Sequence, residues 1–264
     1  CDLSAANLQN ASLKSVRFVQ SQCADMRLEE SHLESCSLVK CSAPRLNFSR
    51  AKLDQVSFVT SECQATDFSG ASLAKLAVIS SNFRGSQAAG VHFERAAMPS
   101  ADLRDVNLQH ASFDSSALPS VQLNGADLSA TQFVKTALSG ASLEGACLRG
   151  AQLRYSSFAF AKLGGADFSN SQAFAVQFGG ADLQAANFSG AQLNRASFAM
   201  ADLRTANFQA VAAGQSDFST ARLDRADFRQ ANCAQASFAH ADLGQADFSD
   251  AVTTDANFHQ TLRD

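Results

Sequence analysis

The chain has 264 residues, 46% of them hydrophobic, with 25 acidic and 21 basic side chains and a net charge of -4. The hydrophobic share is ample for a core, and so even a charge balance excludes a strongly basic nucleic-acid binder. No stretch approaches a membrane-spanning length of apolar residues and no charged start leads into an apolar segment, so the chain is read as cytoplasmic, with membrane contact not expected.

From Leu3 to Phe258 every fifth residue is hydrophobic, without an insertion or deletion: 52 positions, of which 23 are Leu, 19 are Phe and ten are Ala, Cys, Val, Met or Thr. Neither a helix, at 3.6 residues per turn, nor a strand, at two, has this period. Five residues must therefore make one step of a repeat architecture. The unbroken array is read as a single domain over residues 1–264, and as part of a longer chain because Cys1 is already in phase with the repeat. A lipoprotein processed and lipidated at Cys1 is the alternative.

In the early repeats the residues that directly follow the recurring hydrophobic positions, the centres, carry the signal. Val19, Val39, Val59 and Ile79 stand twenty residues apart, followed in the same phase by Pro99 and Pro119. They predict an exterior apolar ladder whose side carries only Arg17 and Lys40 as charges, and whose entry positions Val16, Val56 and Leu76 are unusually bulky. An uncharged strip of this length suggests a protein-docking surface, although β-branched residues also suit plain exposed strands.

Seven cysteines are spread along the chain. Cys23, Cys63 and Cys233 occupy centres, Cys1, Cys36 and Cys41 lie two residues before one, and Cys147 lies one before. There is no C-x-x-C pair, so they are read as buried thiols that act as small hydrophobes. The histidines assemble no ligand set: His32 and His92 stand sixty residues apart in the same phase, and His240 and His259 could approach each other but have no third ligand in the matching phase. Catalytic, cofactor-binding and metal-binding residues are assigned as none. Carboxylate pairs such as Asp182 with Asp202 recur at a spacing of twenty, but no polar cluster breaks the repeat, so an enzyme is not expected.

Beyond residue 100 the centres sort into columns at a spacing of twenty. Leu103 to Leu243 form one, Phe158 to Phe258 a second, Phe168 to Phe248 a third, and the smaller Ala173, Leu193, Ala213, Cys233 and Thr253 a fourth. A second outward patch is aromatic: Tyr155 and Phe174 on one side, Phe160 and Met200 on the next. Its residues are candidate interface anchors, with Phe174 turning inward beside Ala173 as the alternative. From residue 181 to 256 the position two before the centre is Ala in fourteen of sixteen repeats, Val211 and Ser216 being the exceptions. The residue between is often Asp or Asn, as in Ala181-Asp182-Leu183 and Ala186-Asn187-Phe188.

This Ala-(Asp/Asn)-(Leu/Phe)-x-x pattern resembles the pentapeptide-repeat family over essentially the whole chain. The resemblance implies an all-β fold: a right-handed quadrilateral parallel β-helix, a solenoid of about 13 coils of four pentapeptides, with the centre and the small residue two before it pointing inward. It also implies two functional classes. The first is a non-catalytic protein-protein interaction or scaffold module of a bacterial protein, whose partner is another domain, a subunit or a bacterial protein. The second is a DNA mimic that engages type II topoisomerases such as gyrase; the interleaving of Asp residues with Arg204, Arg222, Arg225 and Arg229 speaks against it. Residues 31–45 are similar in texture to repeat tails of accessory proteins linked to type VI secretion, which adds a secretion accessory protein or effector to the first class. No cofactor, small-molecule substrate or direct nucleic-acid contact is expected, whereas an end-to-end or side-to-side homodimer fits open coil ends.

Overall fold

A computed structural model describes residues 1–113 and 115–262. Two compact units make up the chain, residues 1–132 and 133–264. Within each, the pentapeptides close into a right-handed parallel β-helix with four faces per coil of twenty residues. Face 1 begins at residue 1 of each coil, face 2 at residue 6, face 3 at residue 11 and face 4 at residue 16.

Among the described residues of the first unit, nine three-residue strands form two parallel sheets. Face 3 holds β1 (Ser12–Lys14), β3 (His32–Glu34), β5 (Lys52–Asp54), β7 (Ser72–Ala74) and β9 (His92–Glu94). Face 4 holds β2 (Arg17–Val19), β4 (Ser37–Val39), β6 (Ser57–Val59) and β8 (Ala77–Ile79). Pairing is in register at an offset of one coil, Leu13 against Leu33 and Phe18 against Leu38. Continuous ladders thus span about four turns rather than the thirteen coils expected. Elsewhere, neighbouring turns are joined by single-residue bridges at the same offset, such as Asn7 with Arg27 and Asp182 with Asp202.

The cause lies in the turns. Every fifth residue from Ala5 to Gln260 has positive φ, and in most repeats this is a non-glycine residue. On the bridged faces the turn closes with a hydrogen bond from the residue three beyond the centre to the centre's carbonyl, as when Ala6 N donates to Leu3 O at 3.0 Å. A positive φ at the third turn position is what a type II turn requires.

After the paired strands β1–β9 no such closing bond is made among the described residues, and buried Ser and Cys side chains from the next coil serve instead at several of these corners. Cys36 Sγ donates to Leu13 O, Cys41 Sγ to Phe18 O, Ser61 Oγ to Leu38 O and Ser116 Oγ to Phe93 O. Ser61 Oγ also accepts from Cys41 N at 3.1 Å. Cys36 and Cys41 are therefore hydrogen-bonding groups as well as core fillers, a correction to their reading as small hydrophobes. A buried carbonyl without a partner costs about 1–3 kcal/mol, which explains why Ala gives way to Ser and Cys at these corners.

In the second unit the core is aromatic. Phe178, Phe198, Phe218 and Phe238 stack along face 4 with centroids 4.9–5.0 Å apart. Phe188, Phe208, Phe228 and Phe248 stack along face 2 at 4.7–5.0 Å. These distances match the spacing of neighbouring β-strands, so each coil contributes one ring per stack. The two stacks meet edge to face, Phe208 with Phe218 at 5.6 Å and 90°. Small centres on face 3, among them Ala173, Ala213 and Cys233, fill the width the rings leave, and all are fully buried.

Candidate functional site

Face 4 of the first unit brings together the four predicted ladder residues. Val19 is the Cα partner of Val39, Val39 of Val59, and Val59 of Ile79. Val19 and Ile79 are 44% and 41% exposed, while Val39 and Val59 are half-buried. The strip is flanked by Ser37, Ser57 and Ala77 on one side and Lys40, Thr60 and Ser80 on the other. Pro99 and Pro119 continue the column: Ser80 N donates to Pro99 O and Ser100 N to Pro119 O. The face therefore has no carboxylate to repel or pair with a partner, and its backbone is already committed to the coil stack.

In the second unit the aromatic candidates divide between two places. Tyr155 and Phe174 pack edge to face, with centroids 5.6 Å apart at 81°, and the Arg195 guanidinium lies 5.8 Å from the Phe174 centroid. Phe174 is half-exposed. It turns outward rather than into the space beside Ala173, because Tyr155 and Arg195 hold it there. Phe160 and Met200 are 70% and 66% exposed on the far corner of face 4. Between them lies Gly180, over which the Phe160 ring is laid.

Face 3 of the second unit carries side chains that the sequence reading passed over. Gln152, Gln172 and Gln192 form a bridged column beside Tyr155 and Phe174. The signal was available: residues 151–155, 171–175 and 191–195 contain no acid, while faces 1 and 2 of this unit are rich in Asp.

Several of those Asp residues are paired with arginine. Asp202 accepts from Arg204 at 2.8 Å and Arg222 at 3.0 Å, and Asp227 accepts from Arg229 at 2.7 Å. Burial works against ionisation of Asp202, but the two arginines outweigh it and hold its carboxyl below the ordinary range. His240 and His259 do meet, with rings 5.9 Å apart at 83°. Among the described residues no group of three or more His, Cys, Asp or Glu is placed to hold a metal ion, and no helix is long and apolar enough to cross a membrane. Burial pushes the Cys233 thiol up to about 12, leaving it an inert part of the core.

A family model described as pentapeptide repeats matches residues 79–114, 118–154, 131–170, 174–209, 201–232, 216–252 and 231–261, well over half of the sequence. The chain belongs to the pentapeptide-repeat family. The matched repeats begin at residue 79, after the coils in which Val, Leu, Ser and Cys replace the usual Ala. No curated protein matches significantly. Among solved structures the chain is similar to HetL, a pentapeptide repeat protein involved in heterocyst differentiation regulation from the cyanobacterium Nostoc sp. strain PCC 7120. That match has 22% identity, covers 97% of this chain and 92% of HetL, and has a TM-score of 0.38. It is also similar to QnrB1, a plasmid-mediated fluoroquinolone resistance protein, at 17% identity over 74% of this chain and 92% of that one, with a TM-score of 0.37. A pentapeptide repeat protein of the Arabidopsis thaliana thylakoid lumen shares 30% identity over 42% of this chain and 67% of its own, with a TM-score of 0.19. The likeness of residues 31–45 to secretion-linked repeat tails gains no support from these matches.

Proposed function

We propose that this pentapeptide-repeat protein is a non-catalytic protein-interaction module, and that face 4 of its first unit is the docking surface. The observation that supports this reading is the Val19, Val39, Val59 and Ile79 ladder: four aligned aliphatic side chains on a rigid sheet, without a carboxylate along the strip. A rigid platform loses little conformational entropy on binding, so a modest apolar area can yield useful affinity. The ladder residues take part in the turns only through their backbone carbonyls, Val39 O accepting from Cys41 Sγ and Val59 O from Ser61 Oγ, so their outward side chains can be changed while those bonds stay, which makes the face separable from the fold. Phe160 and Met200 are a secondary pair of anchors of the same kind. The partner is a protein presenting an apolar, uncharged surface, for which a bacterial secretion component is one candidate class.

The topoisomerase-engaging activity associated with the family asks for a continuous run of unpaired negative charge. In the second unit the Asp column passes from Asp202 to Arg222, and Asp202 and Asp227 are both neutralised by arginines. The interaction reading is tested by Val39→Glu with Val59→Glu: the circular dichroism and melting temperature are expected to stay close to wild type while partner binding is lost. Binding that survives the double substitution overturns it. A supercoiling assay with purified gyrase tests the other reading, with no inhibition as the expected result.

A further inference from the structure

We propose that face 3 of the second unit binds a linear oligosaccharide. A shallow groove there is lined by Arg154, Tyr155, Gln172, Phe174, Gln192 and Asn194. These supply the two things a sugar ring requires: a flat apolar platform for its C–H face, and side chains that donate and accept at once for its hydroxyls. Tyr155, 56% exposed, is the platform. It is held by the edge-to-face contact with Phe174, which the Arg195 guanidinium covers from the next coil. Arg195 is itself fixed by donating from Nε to Gln215 Oε1 at 2.8 Å. The stacking surface is thus set before any ligand arrives, which lowers the cost of binding.

The polar groups repeat with the coil. Gln152, Gln172 and Gln192 are in-register bridge partners, which places one amide every ~4.8 Å along the face. Each amide carries both an acceptor oxygen and two N–H donors, the complement of a pair of adjacent hydroxyls. A linear chain of pyranose rings presents such a pair at each ring, with a comparable step. Arg154 Nη2 donates to Gln172 Oε1 at 3.1 Å and orients that amide. At the rim, a Cβ on Gly190, whose φ is +68°, would stand 2.8 Å from Asn170 Oδ1, so glycine keeps the Asn170 amide in place. The amide surface continues through Asn194, Gln215, Asn232 and Gln235, and Gln215 Nε2 donates to Gln235 Oε1 at 2.9 Å.

Charge selects among ligands. Residues 151–155, 171–175, 191–195, 211–215 and 231–235 contain no Asp or Glu, so neither a neutral nor a uronate-bearing sugar is repelled. Arg154 and Arg195 are the only cations of these five repeats. Single-stranded nucleic acid would need a basic track along its whole backbone, which two arginines do not provide. A peptide would need apolar pockets for side chains, and in these five repeats only Tyr155 and Phe174 are large apolar residues at outward positions.

The experiment uses the intact chain and isothermal titration with three hexasaccharides, one neutral β-1,4-glucan, one N-acetylated and one uronate, alongside oligo-dT and a proline-rich peptide as probes of the other classes. Saturable binding of at least one hexasaccharide is expected. Tyr155→Ala is expected to weaken it about tenfold or more, the loss typical of a central aromatic anchor, while Tyr155→Phe retains it. Gln192→Ala is expected to weaken it as well, with circular dichroism unchanged for all three variants. Absence of binding by every hexasaccharide overturns the proposal. So does binding indifferent to Tyr155→Ala, or Tyr155-dependent binding of the oligonucleotide or peptide alone.

Discussion

The ring of Phe160 lies so close over Gly180 that a Cβ added there would stand 2.7 Å from Phe160 Cε1. The exposed aromatic thus owes its position to the absence of a side chain one coil above. Gly180→Ala and Gly145→Ala both place a methyl group at positive φ, at a cost of about 1 kcal/mol, but the space around Gly145 is open. Gly180→Ala is therefore expected to lower the melting temperature further than Gly145→Ala and to release the Phe160 ring, a change readable from its NMR ring resonances.

Ser61 tests the hydrogen bonding at the open turns. Its hydroxyl accepts from Cys41 N and donates to Leu38 O, both buried. Ser61→Ala leaves both groups without that partner and is expected to cost about 1–3 kcal/mol in chemical denaturation. Ala51→Ser, at an equivalent inward position whose turn is already closed by Ala51 N donating to Phe48 O, is expected to bring no comparable gain.

Phe198 sits between Phe178 and Phe218 in one stack, at 5.0 and 4.9 Å, and touches the other stack through Phe188 and Phe208. Phe198→Ala is expected to cost about 3–5 kcal/mol, and Phe198→Leu clearly less. Because repeats depend mainly on their neighbours, hydrogen exchange should accelerate most in the adjoining coils.

The Arg229 guanidinium beside Asp227 holds that carboxyl below its ordinary value of 3.8, and Arg104 does the same for Asp102. A carboxyl lowered in the folded state contributes stability above its unfolded value and loses it as pH falls through the folded one. The melting temperature is thus expected to be level from neutral pH to near the carboxylate range and to fall below it. Asp227→Asn should reduce the acid-side loss by less than about 1 kcal/mol, since the pair is solvent-exposed.

Much of this was legible in the sequence. The period of five and the sizes of the centres sufficed to place the Phe stacks on faces 2 and 4, because a close-packed core leaves few ways to combine large and small residues. The alignment of Val19, Val39, Val59 and Ile79 followed from the same arithmetic. What escaped it depends on backbone hydrogen bonding. Ser61 and Cys41 carry the same inward phase as Ala, and only the open turns beside them reveal why a hydroxyl or thiol is needed. The limit of the continuous ladders has the same origin, since a closed turn leaves a single bridging residue per face. The Gln152, Gln172 and Gln192 column escaped because each glutamine alone reads as ordinary polar surface.

The docking role of face 4 is tested most directly by placing a photo-crosslinking residue at Val39 and, as a control, at Lys52 on face 3, in cells that produce the protein. The account predicts a discrete protein adduct from position 39 that is absent from position 52 and disappears when Val59→Glu is added. Equal crosslinking from both positions, or no adduct from position 39, would contradict it.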